Sequence, residues 1–144
     1  LIDFTARLLR LRRELRPLSG RWYTGQPEGG ALPDLAWLTD DGQPLQGDAW
    51  QQPDGRCLGA LIAPSAQRRQ APDVSLLMLV NGDPDERPFQ LPAGDWQVLL
   101  DTTRSDGGAD ECARDVLRLP GRSLLLLADG PVQGWSAAAT KEVQ

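Results

Sequence analysis

Carboxylates are the only abundant groups in this sequence that could do acid–base chemistry. The 144 residues include 20 acidic side chains and no histidine, which excludes Ser-His-Asp and Cys-His catalysis and most zinc sites. The acidic side chains cluster at Asp40 with Asp41, around Asp83, and around Asp106 with Glu111. Each cluster lies in a turn-like context, where Asp commonly hydrogen-bonds the local backbone. We therefore predict no catalytic residue in this chain.

No pattern in the sequence indicates a metal ion or a cofactor. The acidic cluster at residues 106–111 offers oxygens of the kind that Ca²⁺ prefers, but it lacks the spacing of an EF-hand. No Gly-rich phosphate-binding loop occurs. Cys57 and Cys112 belong to no CxxC pattern. They could pair, but two thiols in a cytosolic protein are the expected state.

Tryptophan is the residue type that points most directly to a ligand, because an indole face can stack on a sugar ring. Trp96 falls in an alternating apolar run and is expected in the core. Trp37 and Trp50 lie among Gly, Pro and Asp. Two roles stay open for them: anchoring a junction between two domains, which we expect, or direct contact with carbohydrate. The five tryptophans are Trp22, Trp37, Trp50, Trp96 and Trp135.

Charge and hydropathy argue against two kinds of partner. The formal net charge is −5 and the isoelectric point is about 4.7, so a general affinity for nucleic acid is not expected. The apolar run at residues 123–128 is far too short to cross a membrane. We expect a cytoplasmic protein that contacts neither nucleic acid nor membrane.

The predicted secondary structure begins with an amphipathic helix over residues 1–15. Phe4, Leu8, Leu11 and Leu15 recur at helical spacing and define one apolar stripe. A β-rich domain rarely begins with a lone helix of this kind, and the first residue is not Met. Both features suggest a fragment of a larger protein.

From residue 56 onward the pattern changes to short β-type runs separated by Gly, Pro and Asp turns, which is typical of an antiparallel sandwich or barrel. The predicted strands span residues 57–63, 74–81, 87–91, 96–101, 115–119 and 123–128. The second, fourth and sixth are expected to be inner strands. Their predicted inward side chains are Leu77, Leu79, Trp96, Val98, Leu124 and Leu126.

An ordered series of short motifs resembles the bacterial glycogen debranching enzymes. The resemblance extends from residue 1 to about residue 128, departs at Arg16-Pro17, where the proline is displaced, and has no clear match beyond Asp129. The matching elements are residues 4–13, which resemble the closing barrel helix of that family, and Arg21-Trp22, Ala36-Trp37-Leu38, Gln43-Pro44-Leu45, Asp48-Ala49-Trp50-Gln51 and Leu91-Pro92-Ala93-Gly94-Asp95-Trp96.

The resemblance implies a family 13 glycoside hydrolase of isoamylase type. Such enzymes have a (β/α)8 catalytic barrel followed by a C-terminal β-sandwich, and they hydrolyse α-1,6 branch linkages in glycogen limit dextrins. Their catalytic carboxylates lie at barrel strand ends, before the final helix, so none maps onto this chain.

On that basis we predict a mainly β fold in three parts: the final helix of a missing barrel (residues 1–20), a junction segment (21–55) and a C-terminal antiparallel β-sandwich (56–144). The expected partners are the barrel itself and, through the parent enzyme, glycogen or limit dextrin. The fragment would stabilise the barrel and would not be catalytic. A carbohydrate-binding module with surface tryptophans, and an accessory domain of another family 13 enzyme, stay open as alternatives.

Overall fold

The computed structural model of the chain describes residues 1–15, 23–26, 33–63, 74–109, 111–130 and 132. Trp22, Trp135 and the Arg16-Pro17 departure lie outside the described residues. Within them the chain forms one α-helix, one 3-10 helix and eight β-strands. The bounds are α1 (Ile2–Glu14), β1 (Leu35–Leu38), the 3-10 helix (Gly47–Gln51), β2 (Cys57–Ile62), β3 (Ser75–Asn81), β4 (Arg87–Gln90), β5 (Trp96–Asp101), β6 (Cys112–Ala113), β7 (Val116–Leu119) and β8 (Ser123–Asp129).

The strands form two antiparallel sheets. The larger sheet has the order β1-β2-β3-β8-β5-β6, and the smaller sheet pairs β4 with β7. Strands β3, β8 and β5 lie inside the larger sheet, as the sequence predicted. The predicted fold class, mainly β and antiparallel after one N-terminal helix, is confirmed.

The main core lies between the two sheets. Leu77 and Leu79 from β3 are fully buried there against Phe89 from β4 and Leu119 from β7. Gly59 in β2 allows this close approach, because a Cβ at that position would stand 2.8 Å from Cζ of Phe89. Face-to-face burial of apolar side chains from both sheets is the packing of a β-sandwich.

The other face of the larger sheet is covered by α1. Leu11 is buried in a second apolar cluster with Leu76, and Phe4 packs against the same cluster. Nε of Arg7 donates a hydrogen bond to the main-chain carbonyl of Leu99 in β5, at 2.9 Å. The helix is therefore held to the sandwich by apolar and polar contacts together.

The buried stripe of α1 differs from the prediction at one position. Leu8 is 40 % exposed and Leu9 is 58 % exposed. Arg7, and not Leu8, lies against the sheet. Residues three or four apart share one face of a helix, so a helix that contacts the sheet through Phe4 and Leu11 also directs Arg7 towards it. The helix consequently carries apolar side chains on two faces, one packed on the sheet and one exposed.

The predicted inward register of β8 is wrong. Leu125 and Leu127 lie in the main core, whereas Leu124 and Leu126 are half-buried on the side of α1. Opposed residues of antiparallel strands share a face, and Leu127 is opposite Leu77. Four consecutive leucines show no alternation, so the sequence alone does not reveal which pair faces the core.

Strand β5 contributes side chains to both apolar clusters. Trp96 and Val98 are buried in the main core, as predicted, and Nε1 of Trp96 donates a hydrogen bond to the carbonyl of Pro92 at 2.8 Å. The register then shifts between Val98 and Leu100, and Leu100 enters the cluster under α1. An irregularity of this kind changes the face to which the following side chains point.

Candidate functional site

The candidate site is a surface cleft of about 670 Å³ beside Trp50. Its lining comes from three segments: the turn after β1, the 3-10 helix and the chain from it to the first residues of β2, and the loop between β3 and β4 with the first residue of β4. The first segment and most of the second precede residue 56. The segment predicted as a junction therefore supplies an edge strand of the larger sheet and much of the cleft wall.

A tight turn brings the first two segments of the lining together. Gly42 has a φ of +77°, a conformation that favours glycine. Around it, the N–H of Thr39 donates to the carbonyl of Gln43 at 2.8 Å, and the N–H of Leu45 donates to the carbonyl of Trp37 at 2.8 Å. The chain thus folds back along β1 and places the 3-10 helix next to Trp37.

The two tryptophans singled out from the sequence meet at this point. The ring centroids of Trp37 and Trp50 are 5.6 Å apart and their planes are inclined at 75°, the edge-to-face arrangement that aromatic pairs prefer. Trp37 is half-buried, whereas Trp50 is 51 % exposed. The structure brings the two residues together, and their role as junction anchors or carbohydrate contacts stays a prediction.

Two carboxylates of the cleft are held ionised by their neighbours. The Thr39 hydroxyl donates a hydrogen bond to Asp41 and lowers the pKa of that carboxyl. Nε of Arg87 donates to Asp83 at 3.0 Å, and this hydrogen bond lowers the pKa of Asp83. The acid of a glycosidase needs a raised pKa, so neither side chain suits that role.

The remaining charges of the cleft are less constrained. Among the described residues the carboxylates of Asp40 and Asp54 accept no hydrogen bond, and the charge of Asp40 acts on Arg87, where it helps to raise the pKa of the guanidinium. The guanidinium of Arg56 is close enough to Asp83 to help lower its pKa. With four aspartates and two arginines in the lining, the cleft is net negative and offers mainly hydrogen-bond acceptors.

Cys57 also lines the cleft but is unsuited to nucleophilic chemistry. Burial, with a smaller contribution from the charge of Asp40, raises the pKa of this thiol to about 11. A thiol with a raised pKa stays protonated at neutral pH and is a poor nucleophile. Cys57 and Cys112 are both free in the structure.

The acidic cluster around Asp106 performs the local role that its turn context predicted. Oδ1 of Asp106 accepts a hydrogen bond from the N–H of Gly108 at 2.9 Å, which lowers the pKa of the carboxyl. Arg104 pairs with Glu111 at 2.8 Å, and Asp110 lies outside the described residues. Across the described part of the chain, no group of three or more His, Cys, Asp or Glu side chains could hold a metal ion.

Sequence reasoning singled out Asp40, Asp41 and Asp83 of the cleft, but only as turn residues. It missed Asp54, Arg56 and Arg87, which belong to no motif. Asp54 and Arg56 follow Trp50 closely in the chain, whereas only the fold brings Arg87 to the cleft. A run of turn residues at Pro53-Asp54-Gly55 was the one available signal, and it indicated a loop and not a site.

Comparison with known proteins relates the chain to enzymes of glycogen metabolism. The glycogen operon protein GlgX homologs of Mycobacterium bovis and Mycobacterium tuberculosis are each 30 % identical over 149 residues, covering 88 % of this chain and 21 % of the relative. The glycogen debranching enzyme of Dickeya chrysanthemi is 32 % identical over 107 residues, covering 74 % of this chain and 14 % of the relative. The chain thus spans about a fifth or less of the length of these relatives. No protein-family model matches the chain.

Solved structures give a weaker likeness. An inactive double mutant of MUTB superimposes with a TM-score of 0.38 and 17 % sequence identity, over 52 % of this chain and 12 % of that chain, which is too low to assign a function. No helix among the described residues has the length and apolar character needed to cross a membrane.

Proposed function

This chain belongs to the family of the bacterial glycogen debranching enzymes, and on that premise we propose that it is the C-terminal domain of a cytoplasmic enzyme that hydrolyses α-1,6 branch linkages in glycogen limit dextrins. The observation that carries this proposal is the relationship to GlgX homologs, at 30 % identity across 88 % of the chain. The N-terminal helix and the sandwich agree with the last helix of a catalytic barrel and the domain that follows it.

Within that enzyme the domain would not supply a catalytic group. The chain has no histidine, and the pKa values of Asp41 and Asp83 in its cleft are lowered, the opposite of what a glycosidase acid requires. The bond-breaking carboxylates would therefore lie in the barrel.

Its contribution would be to cover and stabilise the barrel through α1. One face of that helix is packed on the larger sheet, while Ile2 and Leu9 on its other side are strongly exposed. Burying a large aliphatic side chain is worth about 1.5–3 kcal/mol, and exposed apolar patches commonly mark an interface. We assign the outer face of α1 to contact with the barrel.

A paired activity measurement tests the proposal. The full-length enzyme and the purified chain are each incubated with glycogen limit dextrin, and reducing sugar is measured against heat-inactivated controls. We expect release from α-1,6 linkages by the full-length enzyme and none by the chain. Release by the chain alone would contradict the non-catalytic role. If the full-length enzyme cleaves α-1,4 linkages and no α-1,6 linkages, the chain is instead an accessory domain of another amylase-family enzyme.

A further inference from the structure

We propose that the cleft beside Trp50 binds a segment of linear α-glucan, with the indole as the platform on which one sugar ring stacks. This goes beyond the stabilising role of the domain. It rests on the proposed function for the choice of a glucan, because the net negative lining of the cleft by itself only disfavours anionic ligands.

The exposure and fixed orientation of Trp50 make it a suitable platform. The side chain is 51 % exposed at the cleft, although tryptophan side chains are highly buried on average. Its edge-to-face contact with Trp37 covers at most one face of one ring, so Trp50 keeps at least one indole face free of Trp37. The same contact restricts the indole, which lowers the entropy lost when a ligand stacks on it.

The polar lining favours a neutral ligand over an anionic or a lipid one. Four aspartates against two arginines disfavour phosphates and other polyanions. The carboxylates of Asp40 and Asp54 accept no hydrogen bond from the described residues, although the charge of Asp40 acts on Arg87, so their oxygens are available as acceptors for sugar hydroxyls. Hydrogen bonds to charged groups are the stronger kind, and such a wall would not suit an acyl chain.

The dimensions of the cleft agree with a sugar ligand. A volume of about 670 Å³ lies inside the range of roughly 300–1,000 Å³ that small-molecule sites occupy. The cleft lies at the surface of the sandwich, so a sugar chain can reach it from solvent. A binding site here would hold a glucan chain close to the enzyme without taking part in bond cleavage.

The experiment measures maltoheptaose binding to the chain by titration calorimetry. The variants are Trp50→Ala, which removes the platform, and Asp54→Asn, which removes one acceptor charge. The matched control is Val116→Ala, since Val116 is 53 % exposed on β7 and does not line the cleft. We expect Trp50→Ala to weaken binding by roughly tenfold or more, Asp54→Asn to weaken it several-fold, and Val116→Ala to leave it unchanged, with similar melting temperatures.

Several results would overturn the site. These are no binding of maltoheptaose by the folded wild-type chain, equal binding by Trp50→Ala, or preferential binding of an anionic polymer such as heparin. If Trp50→Ala fails to fold, Asp54→Asn decides, and unchanged affinity in that variant refutes the site. Each of these results is compatible with limit-dextrin hydrolysis by the full-length enzyme. The binding site can therefore be refuted while the proposed function stands.

Discussion

At the scale of single residues, Asn81 is the polar group that joins the larger sheet to the turns around the smaller one. Its side chain is fully buried. Nδ2 donates to the carbonyls of Asp85, Leu119 and Pro120 at 2.9, 3.2 and 3.0 Å, and Oδ1 accepts from the N–H of Asp83 at 2.9 Å. In the sequence, Asn81 and Gly82 form an Asn-Gly pair, a turn signal that marks the end of β3 but does not reveal this role.

Replacing Asn81 with Asp should be strongly destabilising. A carboxylate has no N–H to donate, so three carbonyl oxygens lose a donor and a charge is left among them. We expect the free energy of unfolding to fall by about 3 kcal/mol or more, measured by urea denaturation. The matched control is Gln90→Glu, because Gln90 is an exposed amide that donates to the carbonyl of Asp115, and its loss should stay within about 0.5 kcal/mol. Equal effects of the two changes would contradict this account.

The ion pair of Asp83 and Arg87 should make stability depend on acid pH. The hydrogen bond from Arg87 holds the pKa of Asp83 below its usual 3.8 in the folded chain. A lowered folded pKa gives a stabilisation that is complete above the unfolded pKa and is lost as pH falls through the folded pKa. The wild type should therefore melt above Asp83→Asn at neutral pH, and the difference should shrink towards pH of about 2. A difference that is constant or that grows on acidification would contradict this assignment.

At the scale of elements, the sequence located most strands closely but did not always show which of their side chains point into the core. The predicted run 96–101 coincides with β5, and 123–128 differs from β8 by one residue. Gly, Pro and Asp turns mark these limits, and that signal is local. Which leucines of β8 point into the core depends instead on the pairing of β8 with β3. That pairing is a long-range contact, and four leucines in a row do not encode it. The two-residue strand β6 was missed because it is too short to show a pattern.

The corrected register of β8 makes a direct prediction. Leu127→Ala removes a fully buried side chain from the main core, and we expect a loss of about 2–5 kcal/mol. Leu126→Ala removes a half-buried side chain on the side of α1 and should cost about half as much or less. Urea denaturation of both variants measures the difference. A larger loss for Leu126→Ala would favour the inward register that was first predicted from the sequence.

At the scale of the whole molecule, the chain has three layers: α1, the larger sheet and the smaller sheet. The amphipathic helix and the sandwich were predictable because apolar periodicity encodes each of them separately. Their mutual packing was not, since the contact between Arg7 and β5 has no sequence motif. The cleft shows the same limit. Residue type alone singled out Trp37 and Trp50, whereas Asp83 and Arg87 reach the cleft from a segment about 30 residues further along the chain.

We propose that this domain stabilises a catalytic barrel through the outer face of α1 and does no chemistry itself. The decisive measurement is the thermal inactivation of limit-dextrin hydrolysis in the full-length enzyme carrying Leu9→Glu. Val116→Glu is the matched control, because Leu9 and Val116 are similarly exposed in this chain, at 58 % and 53 %, and only Leu9 lies on α1. We predict that Leu9→Glu leaves kcat at low temperature nearly unchanged and inactivates several-fold faster than Val116→Glu on heating. Equal inactivation rates, or a fall in kcat without faster inactivation, would contradict the claim.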